Sequence, residues 1–188
     1  VYGLLRILHV AHAGLFTLGG YICVIVTNQT SSFLIAVLTS MILVGLAGMI
    51  IYRICYQPIL DQPPFVPLIA SIGLFIAMEE LFRIFFGAYG LSFRELPLQE
   101  PLALMQINLK QAEWITIASS VGFVAMLAFL ANRTKLGLAW KATVTDPEIA
   151  SSFGVNIIQV RYLNFFIGSA LAAVSGCMRA VLNNLVDA

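Results

Sequence analysis

The stretch from Arg133 to Asn156, RTKLGLAWKATVTDPEIASSFGVN, is a long polar segment in a very apolar chain. Two hydrophobic runs flank it, so the segment must lie in water while its flanks lie in a different environment. Its charged residues are Arg133, Lys135, Lys141, Asp146 and Glu148. We interpret this stretch as a docking surface around which the rest of the chain is arranged.

The second half of this stretch carries the residues that begin and end a helix. Asp146 can cap a helix, Pro147 suits the first helical position and Glu148 favours the positive end of the helix. Gly154 can end it. The pattern predicts a helix of about two turns, which is marginal alone in water because nucleation is costly. We therefore expect it to pack against its own chain or a partner.

The composition predicts a membrane protein. Hydrophobic residues make up 60% and charged residues 10% of the chain, against roughly 25% charged residues in soluble domains. Runs of about 20 apolar residues can cross a bilayer as helices, and they lack the alternation of barrel strands. We expect an all-α bundle of transmembrane helices in a lipid bilayer. The net charge of +1 gives no indication of a nucleic-acid partner.

Five spans are predicted. The first is short unless residues from Ile7 join it, and a proline-rich loop separates the second from the third. We expect residues 1–188 to form a single transmembrane domain that is incomplete at both ends, since the chain opens without Met and stops directly after an apolar run. The spans are about Leu15 to Thr27, Ser32 to Tyr52, Leu68 to Phe86, Trp114 to Ala131 and Tyr162 to Leu182.

The distribution of Lys and Arg predicts the orientation. The connection around residues 132–161 is the richest in basic residues, whereas the bend after Asn28 has none. Basic residues are enriched in cytoplasmic loops. We therefore place the 132–161 connection in the cytoplasm.

Four ionisable residues are candidates for a translocation path. His9 and His12 have a metal-ligand spacing, but no third ligand lies near them in sequence, so we predict no metal site and expect them to cap or contact a neighbouring helix. Glu79 and Glu80 lie within the third span, where such groups are costly, and Glu79 can pair with Arg83. The two carboxylates either lie near the outer interface or face the inside of the bundle.

The remaining sequence features concern helix packing and the absence of enzyme motifs. Gly168, Ala172 and Gly176 share one face of the fifth span and predict close helix packing. We interpret the three cysteines, Cys23, Cys55 and Cys177, as small apolar residues that fill the core. The sequence has no phosphate loop and no nucleophile or metalloprotease motif, so we expect no enzyme activity and no bound cofactor. Any energy source must then be a gradient or another chain.

Four stretches, taken in order, resemble permease subunits of branched-chain amino acid ABC importers. LHVAHAGLFTLGGY (8–21) resembles the family signature N-F-A-H-G-x-x-x-x-x-G-x-Y, and YQPI (56–59) resembles Y-R-P-L. LIASIGLFIAMEE (68–80) resembles L-I-x-T-I-G-L-x-x-x-L-Q-N, and residues 134–176 resemble the family's cytoplasmic loop and the span after it. Details look more like the first of the two paralogous permeases. Departures at His9 and at Glu79-Glu80 leave the substrate open.

The resemblance implies roles for residues and partners. Asp146, Ala150 and Gly154 match the family's coupling segment, and packing against an ATPase subunit would involve Ile149, Ala150 and Phe153. Separate ATPase subunits would hydrolyse ATP, and a second permease chain would complete the path. An external solute-binding protein would deliver the amino acid to this complex in the inner membrane.

Other functions stay open at this point. Urea or short-chain amides are alternative substrates within the same superfamily. A different class is an ion-coupled secondary transporter or channel that uses Glu79, Glu80 and Arg83 as an ion relay. A third class is a structural or receptor membrane protein without transport activity.

Overall fold

Helices dominate the chain, as the sequence predicts. The structure, a computed structural model, describes residues 9–184 and 186 apart from positions 61, 64, 88, 105 and 106. The α-helices are α1 His12–Thr30, α2 Phe33–Ile51, α3 Phe65–Phe86, α4 Gln111–Arg133, α5 Lys135–Thr145, α6 Pro147–Ser152 and α7 Ile157–Asn183. A π-helical turn, Tyr52–Tyr56, and a 3-10 turn, Gln57–Ile59, continue α2.

Four of the predicted spans are confirmed as helices that are long and apolar enough to cross a membrane. Within the described residues these are Phe33–Ile59, Phe65–Phe86, Gln111–Arg133 and Ile157–Asn183. The remaining predicted span corresponds to α1, which has 19 residues but ends in the polar run TNQT. It begins at His12, and Ile7 lies outside the described residues. The chain is a multi-pass membrane protein with an all-α bundle.

The core lies where α1 packs against both α2 and α7. Leu15, Tyr21 and Val24 of α1 are fully buried there. Glycine allows this close approach: a Cβ added at Gly19 would lie 2.8 Å from the Cβ of Ala173, and one at Gly176 would collide with the carbonyl oxygen of Phe16. Side chains at these two glycines would therefore push α1 and α7 apart.

The small residues of α7 that meet α1 and α2 come from the predicted row and from the row next to it. Gly176 is at the contact and Ala172 is buried, but Gly168 is only half-buried. Ala173 lies closest to Gly19 of α1 and Ser169 lies closest to Gly48 of α2, and both residues belong to the adjacent row. The sequence alone does not distinguish the two rows because both repeat small residues every four positions.

The helices α3 and α4 lie at the edge of this core. Ala112, at the start of α4, is the buried residue of that helix. In α3, the buried residues are Pro67, Ser71, Met78 and Phe82. Most of the apolar surface of both helices therefore faces away from the chain.

The connection between α3 and α4 contains a short hairpin that the sequence analysis did not predict. Strand β1, Pro101–Leu104, pairs antiparallel with β2, Ile107–Lys110. Asn28 at the end of α1 holds the earlier part of this connection, because its Nδ2 donates to the Ser92 carbonyl at 3.2 Å and its Oδ1 accepts from the Arg94 amide at 2.9 Å. One side chain thus fixes the connection to α1.

Candidate functional site

The polar stretch 133–156 contains a helix that the sequence analysis missed. An 11-residue helix, α5, precedes the predicted short one. The Thr134 hydroxyl accepts a hydrogen bond from the Gly137 amide at 3.1 Å, which caps α5. The residue type of Thr134 is typical of a helix cap and could have indicated α5. Gly137 and the charged residues nearby are instead typical of a loop.

The predicted short helix is confirmed as α6, Pro147–Ser152. Asp146 Oδ1 accepts from the Ile149 amide at 2.9 Å, which caps the helix as its residue type predicts. Gly154 has a φ of +83°, a left-handed conformation that favours glycine. Beyond it, the Val155 amide donates to the Ala150 carbonyl at 3.1 Å. The turn at Gly154 therefore directs the chain from α6 into α7.

Together α5 and α6 form an apolar groove with a volume of about 560 Å³, which we call the α5–α6 groove. Phe153 is 85% exposed and Ile149 is 57% exposed, whereas Ala150 is 3% exposed and lies at the floor. Polar groups are few. The groove is lined by Lys135, Leu138, Ala139, Ala142, Thr145, Asp146, Ile149, Ala150, Phe153 and Val155.

This arrangement suits binding rather than catalysis. Two large apolar side chains are held out from a capped helix, and solvent contact costs about 25 cal/mol for each Å² of apolar surface. Lys135 and Asp146 supply opposite charges beside the apolar surface. Covering the groove with another apolar surface would therefore be favourable.

The predicted carboxylate pair lies on the exposed side of α3. Arg83 donates to Glu79 Oε1 at 2.8 Å and to Glu80 Oε1 at 3.2 Å. All three side chains have substantial exposure. Within the described residues, no hydrogen bond or ion pair joins them to His9 or His12. The polar partner of the two carboxylates in these contacts is thus Arg83 of the same helix.

The histidines lie instead beside aromatic rings. His9 Nδ1 is hydrogen-bonded to Tyr56 Oη at 2.6 Å, and its ring centroid lies 5.3 Å from that of Phe165. The His9 and His12 rings are 5.6 Å apart. The sequence pattern does not reveal this grouping because Tyr56 and Phe165 are distant in sequence from His9.

Cysteines Cys23 and Cys177 pack between α1 and α7. Both are fully buried, and Cys55 is half-buried. The Cys177 thiol donates to the Gly19 carbonyl oxygen at 3.6 Å. These contacts agree with the interpretation of Cys23 and Cys177 as small packing residues.

Comparison with known proteins decides the family. A family model described as "Branched-chain amino acid transport system / permease component" matches residues 1–187. The chain belongs to this permease family. The resemblance seen in the sequence motifs is confirmed.

Individual members of the permease family match at lower identity. "High-affinity branched-chain amino acid transport system permease protein LivH" of Salmonella typhimurium is 26% identical over 95% of this chain and 62% of its own length. The LivH protein of Escherichia coli is 25% identical over the same shares. BraD of Pseudomonas aeruginosa is 26% identical over 100% of this chain and 65% of its own length. The chain thus spans somewhat less than two thirds of these relatives. No solved structure matches it significantly.

Proposed function

We propose that this chain is a permease subunit of an ATP-driven importer of branched-chain or other hydrophobic amino acids. Separate subunits hydrolyse the ATP, a second permease chain completes the path, and an extracytoplasmic solute-binding protein delivers the amino acid. The complex lies in the cell's inner membrane, with residues 132–161 in the cytoplasm. Membership of the permease family supports the transport role, and the names of LivH and BraD support the substrate class.

The exposed α5–α6 groove is the observation that carries the coupling part of this proposal. Phe153 is held 85% exposed on a segment that the charge distribution assigns to the cytoplasm. Burying such a side chain contributes about 1.5–3 kcal/mol, so a partner that covers it gains binding energy. We assign the groove to the ATPase subunit, with Ile149 and Phe153 as the main contacts and Ala150 as the floor.

Close contacts join the groove to the rest of the bundle. Lys141 Nζ donates to Asn132 Oδ1 at the end of α4 at 2.8 Å. A Cβ at Gly137 would lie 2.5 Å from the Ala131 carbonyl carbon, so α5 lies directly against the end of α4. Because α7 follows α6 after a short turn, displacement of the groove would move α4 and α7 with it.

The test removes one exposed ring from the groove. In proteoliposomes that hold the permeases, the ATPase subunits and the binding protein, we expect Phe153→Ala to lower ATP-dependent leucine uptake by about tenfold or more, the effect of losing a central interface residue. Co-purification of the ATPase with the membrane complex should fall as well. Phe85→Ala is the matched control, since Phe85 is 76% exposed but lies on α3. Normal uptake and co-purification in Phe153→Ala would exclude the docking assignment.

A second variant tests the turn after α6. Gly154→Val places a branched side chain at a φ of +83°, which L-residues rarely adopt. Space is not the obstacle, because no atom lies within 4 Å of an added Cβ. We expect uptake to be lost while the protein still inserts into the membrane. Gly73→Val, also at an open position, is the control.

The substrate class needs its own measurement. Leucine, isoleucine and valine should compete with each other for uptake, whereas urea and acetamide should not. Competition by urea alone would support the alternative substrate class. Uptake that survives ATP depletion and stops with loss of the proton gradient would instead support a secondary transporter.

A further inference from the structure

A second hydrophobic cluster lies apart from the main core. We call His9, Tyr52, Tyr56 and Phe165 the aromatic cluster. The Phe165 ring centroid lies 4.8 Å from that of Tyr52, 5.5 Å from that of Tyr56 and 5.3 Å from that of His9. Tyr52, Tyr56 and Phe165 are each 1% exposed. The cluster therefore joins the end of α2, the start of α7 and the residues before α1.

The two tyrosines lie at the ends of the π-helical turn, Tyr52–Tyr56. Such turns are rare because their wider winding is less favourable than that of an α-helix. Those that do occur are often at functional sites. Here the turn directs both rings into the aromatic cluster. Packing against Phe165 and the bond from Tyr56 to His9 compensate for the wider winding. A change in the position of Phe165 would therefore act directly on this turn at the end of α2.

Polar contacts extend the cluster to neighbouring elements. Tyr162 Oη, on α7, donates to Gln57 Oε1 at 3.1 Å. Ser71 Oγ, on α3, accepts from the Ala11 backbone amide at 3.0 Å. The start of α7 thus contacts the end of α2, while α3 contacts the residues before α1. Four segments meet at this position.

Phe165 of the aromatic cluster is also close in sequence to the α5–α6 groove. Asn156 Oδ1 accepts from the Gln159 amide at 3.1 Å, which caps the start of α7. Phe165 follows Ile157 by eight residues, or about 12 Å along a helix. A short turn, residues 153–156, joins α6 to α7, and the Val155 amide bonds back to the Ala150 carbonyl of α6. Movement of α6 would therefore reach Phe165 through this turn and the first eight residues of α7.

We propose that the aromatic cluster is a positioning device that transmits displacement of the α5–α6 groove to α1 and α2. This inference rests on the proposed docking function. It assigns His9 to the transmission of movement rather than to the translocation path, because its ring is enclosed by Tyr56 and Phe165 and is hydrogen-bonded at 2.6 Å. Phe165 is the central positioning residue, since it contacts all three other rings.

The test measures coupling rather than activity alone. In the reconstituted complex, leucine uptake and ATP hydrolysis are measured together for Phe165→Leu, which keeps an apolar side chain but loses the ring contacts. We expect uptake to fall by about fivefold with ATP hydrolysis changed by less than about twofold, as for loss of a coupling contact. The ATP consumed per leucine would rise accordingly. Phe85→Leu, on the exposed side of α3, should leave this ratio unchanged.

A second variant keeps the test decisive if Phe165→Leu does not assemble. Tyr56→Phe retains the ring and removes the hydroxyl bonded to His9. It should raise the ratio by about twofold, in line with the loss of one hydrogen bond. A parallel fall of uptake and hydrolysis, or an unchanged ratio in both variants, would overturn the inference. Failure of the proposed function looks different, because the unmodified complex would then show no ATP-dependent uptake.

Discussion

Helices α4 and α7 are both apolar enough to cross a membrane, yet their surroundings differ. Most of the apolar stretch of α7 is buried within the chain, whereas none of the corresponding stretch of α4 is. In α7, small residues such as Ala173 and Gly176 lie against α1. In α4, no atom lies within 4 Å of a Cβ added at Gly122. The apolar composition of a helix thus shows that it leaves water. Contacts made by small residues decide whether it then packs against other helices of the same chain.

Because α4 is apolar but makes few contacts within the chain, its exposed surface must contact another apolar environment. Val121, Val124 and Phe129 are exposed along the helix. In a membrane protein, such side chains lie against lipid or against another protein segment. Substitutions on the two helices therefore have opposite expected effects, and the following predictions compare the packed core with the exposed surface.

The largest effect is expected from a bulky residue at the contact between α1 and α7. A side chain in Gly176→Leu would collide with the Phe16 carbonyl, and overpacking costs about 1–3 kcal/mol or more. The thermal midpoint of the detergent-solubilised protein should fall sharply, with loss of folded yield. Gly122→Leu should leave it unchanged. A similar fall in Gly122→Leu would show that α4 also packs against protein.

Loss of a buried hydroxyl should have the next largest effect. Ser71→Ala leaves the Ala11 amide without its acceptor, in a fully buried position, and an unsatisfied buried group costs about 1–3 kcal/mol. The thermal midpoint should fall. For comparison, the exposed Ser120 on α4 donates to Thr116 of its own helix, so Ser120→Ala should have little effect. Equal effects from both serines would contradict the difference in burial.

A smaller and local effect is expected from Asp146→Ala. The capping bond to the Ile149 amide contributes about 1 kcal/mol, so the amides of α6 should exchange with deuterium faster. Asp146→Asn retains an acceptor oxygen and should stay close to the original rate. Unchanged exchange in Asp146→Ala would mean that packing alone holds α6.

The smallest effect is expected on the exposed side of α3. Glu79→Gln removes one of the two ion pairs of Arg83, and exposed pairs contribute about 0–1 kcal/mol. The thermal midpoint in detergent should change little at any salt concentration. A large decrease would place Glu79 in a covered environment, as the interpretation of a translocation path requires.

Features set by neighbouring residues could be predicted from the sequence. The α6 helix follows from Asp146, Pro147 and Gly154, because a cap and a left-handed turn depend on residues a few positions apart. The Glu79–Arg83 pair follows from helical spacing in the same way. The membrane bundle follows from long apolar runs. Each of these needs no knowledge of the tertiary fold.

Features set by distant residues could not be predicted. His9 contacts Tyr56 and Phe165 only because three segments meet in the fold, and neither tyrosines nor phenylalanines are unusual in a membrane helix. Which small residue of α7 lies nearest to Gly19 of α1 depends on the rotation of α7, and this residue is Ala173. Thr134 indicates the start of the helix α5, but Gly137 does not favour a helix. The role of Gly137 is the close approach of α5 to the end of α4, which depends on the fold.

The Asn28 side chain presents one donor and one acceptor to the backbone on either side of residue 93, as a neighbouring β-strand would. The connection after α3 is thus registered to α1 by an amide of a single side chain. Hydrolysis of that amide by water would break its C–N bond, release ammonia and put a carboxylate oxygen in place of the donor that faces the Ser92 carbonyl. Such a change would weaken the attachment to α1 and leave the backbone pairing of Leu91 with Val186 to hold the connection.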